Sequence, residues 1–262
     1  MELRREALRL LAIAEPAQKA AAVRAWAAAG DGDATVDTTA ALVATTPLPG
    51  RPPRPLLVDP AQVPRRTPFT PAGRAALLHA VAHIEFNAID LALDAVWRFA
   101  GLPEAFYRDW QRVAGEEALH FTLVADYLAD LGHAYGDFDA HAGLWTMCEK
   151  TAGDPLARMA LVPRTLEARG LDATPPMRAK FERAGDRRAV AILDVILRDE
   201  VGHVAIGNRW YRWLCEREGL DPSTHCAVLA KQHGAPRLKG PFNIEARRAA
   251  GFSEEEISAL GN

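Results

Sequence analysis

The chain has 262 residues, 49% of them hydrophobic and 25% charged, with a net charge of -3. That balance supports a packed core, argues against disorder, and gives no electrostatic ground for a nucleic-acid or membrane partner. Three widely spaced cysteines (Cys148, Cys215, Cys226) without a C-x-x-C exclude a disulfide framework and a thiolate metal site, and they fit a reducing cytoplasm.

The N-terminus scatters charge through its apolar positions, so it does not read as a signal peptide, and no run approaches the roughly 18 to 20 apolar residues of a membrane span. We expect a soluble, cytoplasmic protein. The first thirty residues read as two short amphipathic helices, the second starting near Pro16. From Gly30 to Arg66 the chain is rich in proline and small residues and loses its helical period, which predicts an arm packed over the core, partly extended. Thr70-Pro71 is a helix start, and the pattern then runs to Gly101. Pro103 starts the next helix, which ends at Gly132. A third helical stretch begins at about Leu144, resumes after Asp154-Pro155, and should bend at Pro163. The segment "GLDATPP" reads as a breaker, leaving only a short helix before Gly185. A helix of some thirty residues follows, from Asp186 to Gly219. After Gly219 the tail reads as an extension that hugs the bundle, and a final short helix opens with a Ser253–Glu256 capping box. No strand-like alternation occurs, so the fold class is all-α.

Residues three apart on a helix lie about 60° apart around its axis and about 4.5 Å along it, so Glu-x-x-His aims both side chains at one point. The pattern occurs twice, as Glu117 with His120 and as Glu200 with His203. Two such pairs are only a mild excess over chance for this composition. The upstream glutamates sharpen the signal: Glu85 lies 32 residues before Glu117, and Glu167 lies 33 before Glu200. Glu85 precedes Leu102 in the intervening turn by 17 residues and Glu117 follows it by 15, which sets the two acids level across a helical hairpin. Four carboxylates and two imidazoles projecting inward from four helices form the di-iron or di-manganese arrangement of ferritin-like bundles. Such oxygen-rich ligands suit iron or manganese, and two divalent ions would neutralise acids that are costly to bury alone.

The stretches "HIEFNAIDLALDAVWRF", "FYRDWQRVAGEEALHF", "RMALVPRTLEARGLDATP", "RDEVGHVAIGNRW" and "GAPRLKGPFN" resemble the ferritin-like superfamily and, within it, the bacterial family called domain of unknown function 455. The resemblance implies a four-helix bundle over residues 71–219, an N-terminal arm over 1–70 and a C-terminal extension over 220–262. It also implies two iron ions, with Mn/Fe or Mn/Mn as alternatives, held by Glu85, Glu117, His120, Glu167, Glu200 and His203. In di-iron oxygenases of the superfamily the acid before Glu-x-x-His often orients the opposite histidine, which gives Asp199 to His120 and Glu116 to His203. The position of "GLDATPP", three residues after Glu167, makes a break beside the metals an expectation of the same reading.

The function so implied is a di-metal oxidoreductase that activates dioxygen or peroxide to oxidise or hydroxylate a small organic substrate. Its electrons would come from an external donor, because no rubredoxin-like segment is present. An iron-binding or ferroxidase protein without organic substrate is a second reading. The superfamily's transfer-RNA hydroxylases suggest a third, with Arg51, Arg54, Arg65 and Arg66 of the arm on RNA. A monomer or homodimer is expected, since the two extensions would obstruct cage packing. His83, two positions from Glu85, should face away from the metals.

Overall fold

A computed structural model describes residues 2–29, 34–63 and 66–260, and every regular element in them is helical. Arg65, Gly30 and Pro64 of the predicted arm lie outside the described residues. The chain divides into two units, Met1–Gly143 and Leu144–Asn262, so the division falls inside the expected 71–219 core.

In the first unit, α1 (Leu3–Leu11) and α2 (Pro16–Ala28) precede the long pair α3 (Pro71–Arg98) and α4 (Glu104–Asp130). Their starts follow capping chemistry. Thr70 Oγ1 accepts from Gly73 N at 3.2 Å ahead of Pro71, and the Glu15 carboxylate accepts from the first N–H groups behind Pro16. α3 and α4 pack along each other; α1 lies on α3 and α2 on α4. By length and composition α3 could cross a membrane, yet 83% of its most apolar window is buried within the protein, as in a core helix.

Two buried cations fasten the N-terminal segments to α3. Arg4 donates to the carbonyls of Val96 and Trp97 in the last turn of α3 and to those of Asp37 and Ala40 in the arm, so one guanidinium satisfies carbonyls that a helix end leaves without partners. Lys19 Nζ sits 2.6 Å from Asp90 and donates to the Gly50 carbonyl at 3.1 Å. Burial pushes the Asp90 carboxyl up to about 6, with the Lys19 charge working against it. Further along, Val58 N donates to the Ala140 carbonyl and Ala140 N to the Leu56 carbonyl, which ties the arm to the loop after α4.

The second unit holds α5 (Gly143–Lys150), α6 (Pro155–Leu161), a π-helical turn (Val162–Glu167), α7 (Ala168–Arg183) and the 32-residue α8 (Arg187–Glu218), followed by α9 (Pro222–Gln232), α10 (Ile244–Ala249) and α11 (Glu254–Ala259). Pro163 lacks the N–H that an α-helix would spend on the carbonyl four residues back, and the chain passes through a π turn there. The Thr165 hydroxyl donates to the Ala160 carbonyl at 2.7 Å inside it. Gly207 of α8 makes room for that turn: a Cβ there would stand 2.6 Å from Pro163 Cβ.

One expectation is corrected. "GLDATPP" does not break the chain, because α7 runs through Pro175 and Pro176 to Arg183. Each proline deprives the carbonyl four residues earlier of its donor, and for Leu171 a side chain far along the sequence supplies one. Asn243 Nδ2 donates to the Leu171 carbonyl at 3.2 Å, while the Asp172 carboxylate accepts from Asn243 N at 2.8 Å and from the buried Arg247 at 3.0 and 2.5 Å. In the C-terminal extension, α9 starts at Pro222 behind an Asp221 cap. The other starts and stops stand where their cap residues put them, including Asp154, Asp186, the left-handed Gly219 and the Ser253–Glu256 capping box. Ala168, Leu171, Val204, Ala250, Phe252 and Ile257 form a core that brings the C-terminal helices onto α7 and α8.

Candidate metal centre

α3 and α4 place three ionisable groups where a hairpin core is normally apolar. Glu85 is 3% exposed, Glu117 1% and His120 0%. His120 Nδ1 stands 3.3 Å from Glu85 Oε2 and 3.3 Å from Glu117 Oε2, and one ligand atom from each of the three lies within 4.8 Å of the others. Burial opposes a charge on the imidazole, yet the hydrogen bonds and charges of Glu117 and Glu85 outweigh it and push His120 up to about 11. Without a metal, a proton on this ring therefore neutralises part of the buried acid pair. A divalent cation would do the same work more completely, releasing that proton as it bound. Two carboxylates and an imidazole, with no thiolate, are a donor set that fits iron or manganese.

The second unit repeats the pair on α8. Glu200 and His203 are both buried, with His203 Nδ1 3.8 Å from Glu200 Oε1. Glu167 is the last residue of the π-helical turn and is half-buried. A π turn shifts its residues round the helix relative to an α-helical run, and such turns are common at functional sites. Gly170, one turn further on, faces Glu200: a Cβ there would lie 3.9 Å from the Glu200 carboxylate. The Glu200 carboxylate thus packs over the turn that follows Glu167.

Of the sequence candidates, the structure gathers Glu85, Glu117 and His120 in one unit and Glu200 with His203 in the other, Glu167 lying one turn before the residue that faces Glu200. Asp199 accepts from Arg198 Nε at 2.8 Å and Nη2 at 3.0 Å. Glu116 lines a groove between α2 and α4 together with Arg24 and Arg112. His83 and His79 serve the fold. Both ring nitrogens of His83 are engaged, Nδ1 with the Tyr135 hydroxyl at 2.9 Å and Nε2 with the His141 carbonyl at 3.0 Å, and the His79 ring stacks on Tyr135. Burial pushes both histidines down to about 4. Gly170 escaped the sequence reading; the one available signal was a glycine three residues after a candidate ligand, on the same side of the helix.

Helices and cluster define the class: an all-α protein with a buried Glu/His group able to hold a metal ion. The chain belongs to the family described as Protein of unknown function (DUF455), whose model matches residues 12–258. A protein of Haemophilus influenzae, described as "Uncharacterized protein", is similar to it, with 53% identity over 213 residues that cover 79% of this chain and 74% of the relative. No solved structure matches the chain.

Proposed function

We propose that this protein is a di-metal carboxylate oxidoreductase with a ferritin-like four-helix core, in which Glu85, Glu117, His120, Glu167, Glu200 and His203 hold two ions, iron first among them. The observation that carries this reading is the buried Glu85–Glu117–His120 group, whose ligand atoms already lie within 4.8 Å of one another and whose motif recurs at Glu200 and His203. When bound, the metal pair supplies the electrons that reduce dioxygen or peroxide while an organic substrate is oxidised.

The side chains have definite tasks in that scheme. Glu85 and Glu117 balance charge in a site where an uncompensated acid would cost several kcal/mol, on the order of the penalty for a buried ion. His120 gives up the proton held at Nδ1 between the two carboxylates and becomes a neutral nitrogen donor. Asp199 and Glu116 are proposed to orient the histidines through their second ring nitrogens, which fixes the tautomer and raises ligand basicity. Electrons come from a separate donor protein, since the chain has no C-x-x-C segment of its own.

The test is metal analysis of protein purified without added metal, followed by oxygen uptake on addition of a chemical reductant. About two iron or manganese ions per chain are expected, with uptake that responds to organic substrates. A single zinc, or no metal in wild type, would overturn the reading. Uptake that stops when the bound iron is oxidised, whatever compound is added, would make the protein an iron oxidase without organic substrate.

A further inference from the structure

Glu167 is bracketed by two arginines that reach the C-terminal extension. Arg164, three residues before it in the π-helical turn, is 6% exposed, and its guanidinium lies 4.9 Å from the ring centroid of Tyr211 on α8 and 5.0 Å from that of Phe252, which precedes α11. Its Nη2 pairs with Glu256 of α11, and its Nη1 stands 3.0 Å from Cys226 Sγ on α9. Glu256 is fixed in turn: its second oxygen lies 3.3 Å from Arg212 Nη2 on α8 and accepts from Ser253 N at 2.8 Å in the capping box. On the other side of Glu167, the fully buried Arg247 of α10 donates from Nη2 to the Ala168 carbonyl at 3.4 Å and pairs with Asp172. The chain just before and just after Glu167 is therefore tied to α11 and α10 respectively.

We propose that Arg164 is a positioning residue for Glu167: anchored by Glu256, it keeps the π turn from slipping into α-helical register and so keeps the Glu167 carboxylate directed at the metal site. The inference rests on the di-metal reading above and adds to it a role for the C-terminal extension. A π turn holds one residue more than the α-helical path it replaces, so a slip would swing the side chains at its end by about 100°, the rotation of one residue. The direction of Glu167 thus depends on holding the turn, and Arg164 is the side chain inside the turn that is gripped from outside it. A guanidinium suits that task. Its planar fork on a carboxylate and its stacking on two aromatic faces define an orientation, which a lysine ammonium would not.

The experiment titrates metal-free, full-length protein with Fe(II) under anaerobic conditions and measures bound iron by equilibrium dialysis. Wild type should bind about two equivalents, and Glu167→Ala should weaken the second. Arg164→Met should weaken that same equivalent by about 10- to 100-fold, the range for a group that orients a ligand. Glu256→Gln, whose amide retains the capping box, should act in the same direction by a smaller factor. In the Glu167→Ala background, Arg164→Met should cost nothing further, because Arg164 acts through Glu167; a general loss of packing would weaken iron binding equally in both backgrounds. Near-UV circular dichroism reports whether each variant is folded, and if Arg164→Met is not, Glu256→Gln combined with Glu167→Ala gives the same cycle. Two equivalents in wild type and a loss in Glu167→Ala, with wild-type affinity in both anchor variants or with additive losses, would overturn the positioning role and leave the di-metal reading standing. Fewer than two equivalents in wild type, or no loss in Glu167→Ala, would overturn that reading and this inference with it.

Discussion

The two regions that bear Glu…Glu-x-x-His are built from different backbones. In the first, α3 and α4 are uninterrupted α-helices of 28 and 27 residues, and the 3.6-residue period alone carries Glu85, Glu117 and His120 to one place. In the second, α8 is regular, but the strand of chain opposite it passes through seven residues of α6, a six-residue π turn and a double-proline α7. The first region is secured by side chains from the N-terminal segments, chiefly Arg4 and Lys19; the second is completed by the C-terminal ones, chiefly Asn243 and Arg247. A similar motif can therefore be supported either by plain helix geometry or by donors lent from distant sequence, and the second kind is the more exposed to damage outside the motif.

Replacement of the proposed ligands should give the largest effects and test whether the two regions act together. We expect Glu117→Ala and Glu200→Ala each to weaken metal binding by more than the roughly 10- to 100-fold loss of affinity typical of groups that only support ligands, which elemental analysis would show as loss of bound metal. If Glu200→Ala leaves the iron content of wild type unchanged, the first region binds metal alone and the pairing of the motifs in function is lost. Elemental analysis of the three proteins, purified side by side, decides it.

Arg247→Ala tests the support rather than the ligands. It leaves Asp172 with no guanidinium at a largely buried position, and breaking a buried pair in this way costs about 3–5 kcal/mol. Denaturant unfolding should show that loss. If the variant is as stable as wild type, the C-terminal segment does not hold α7, and the contrast drawn between the two regions fails.

That contrast also explains what could be read from the sequence. Helix starts written in local chemistry were legible: Thr70-Pro71, Asp154-Pro155, Asp186, and Ser253 with Glu256 each act within three residues of themselves. So was the Glu85–Glu117–His120 group, because its geometry depends only on helical spacing and one turn. The passage of α7 through Pro175 and Pro176 was not, since the donor that takes the released Leu171 carbonyl sits at Asn243, 72 residues away. Nor was the π turn, because Pro163 announces a disturbance without saying which kind, and Gly207 of α8, which makes room for it, is 44 residues further on.

A double-mutant cycle sharpens this point at smaller amplitude. Asn243→Ala removes the donor to the Leu171 carbonyl and should cost about 1–2 kcal/mol, the range for a buried acceptor that loses its bond. Pro175→Ala restores an N–H to α7 that can serve the same carbonyl. In that background Asn243→Ala should cost less, giving a coupling of about 0.5–1 kcal/mol by denaturant titration. Strict additivity would mean that Asn243 stabilises α7 only through its other contacts.

A further prediction belongs to the first region and concerns pH. His79 and His83 titrate near 4 in the folded protein because burial disfavours their charged forms, against about 6.5 when unfolded. As pH falls from 6.5 to 4 the unfolded chain takes up two protons that the folded one refuses, so their contribution, present above 6.5, is lost as pH drops through 4. Asp90 acts in the opposite sense. Burial raises it to about 6, so its contribution is present below about 3.9 and is lost as pH rises through 6. Between pH 4 and 6 two histidines oppose one carboxyl, and stability should fall on acidification with a slope near that of one proton. Asp90→Asn removes the opposing group and should steepen that slope towards two protons, measured as the pH dependence of the urea midpoint and m-value of the metal-free protein. An unchanged slope would show that Asp90 stays ionised beside Lys19, and that the buried pair is held more firmly than its depth implies.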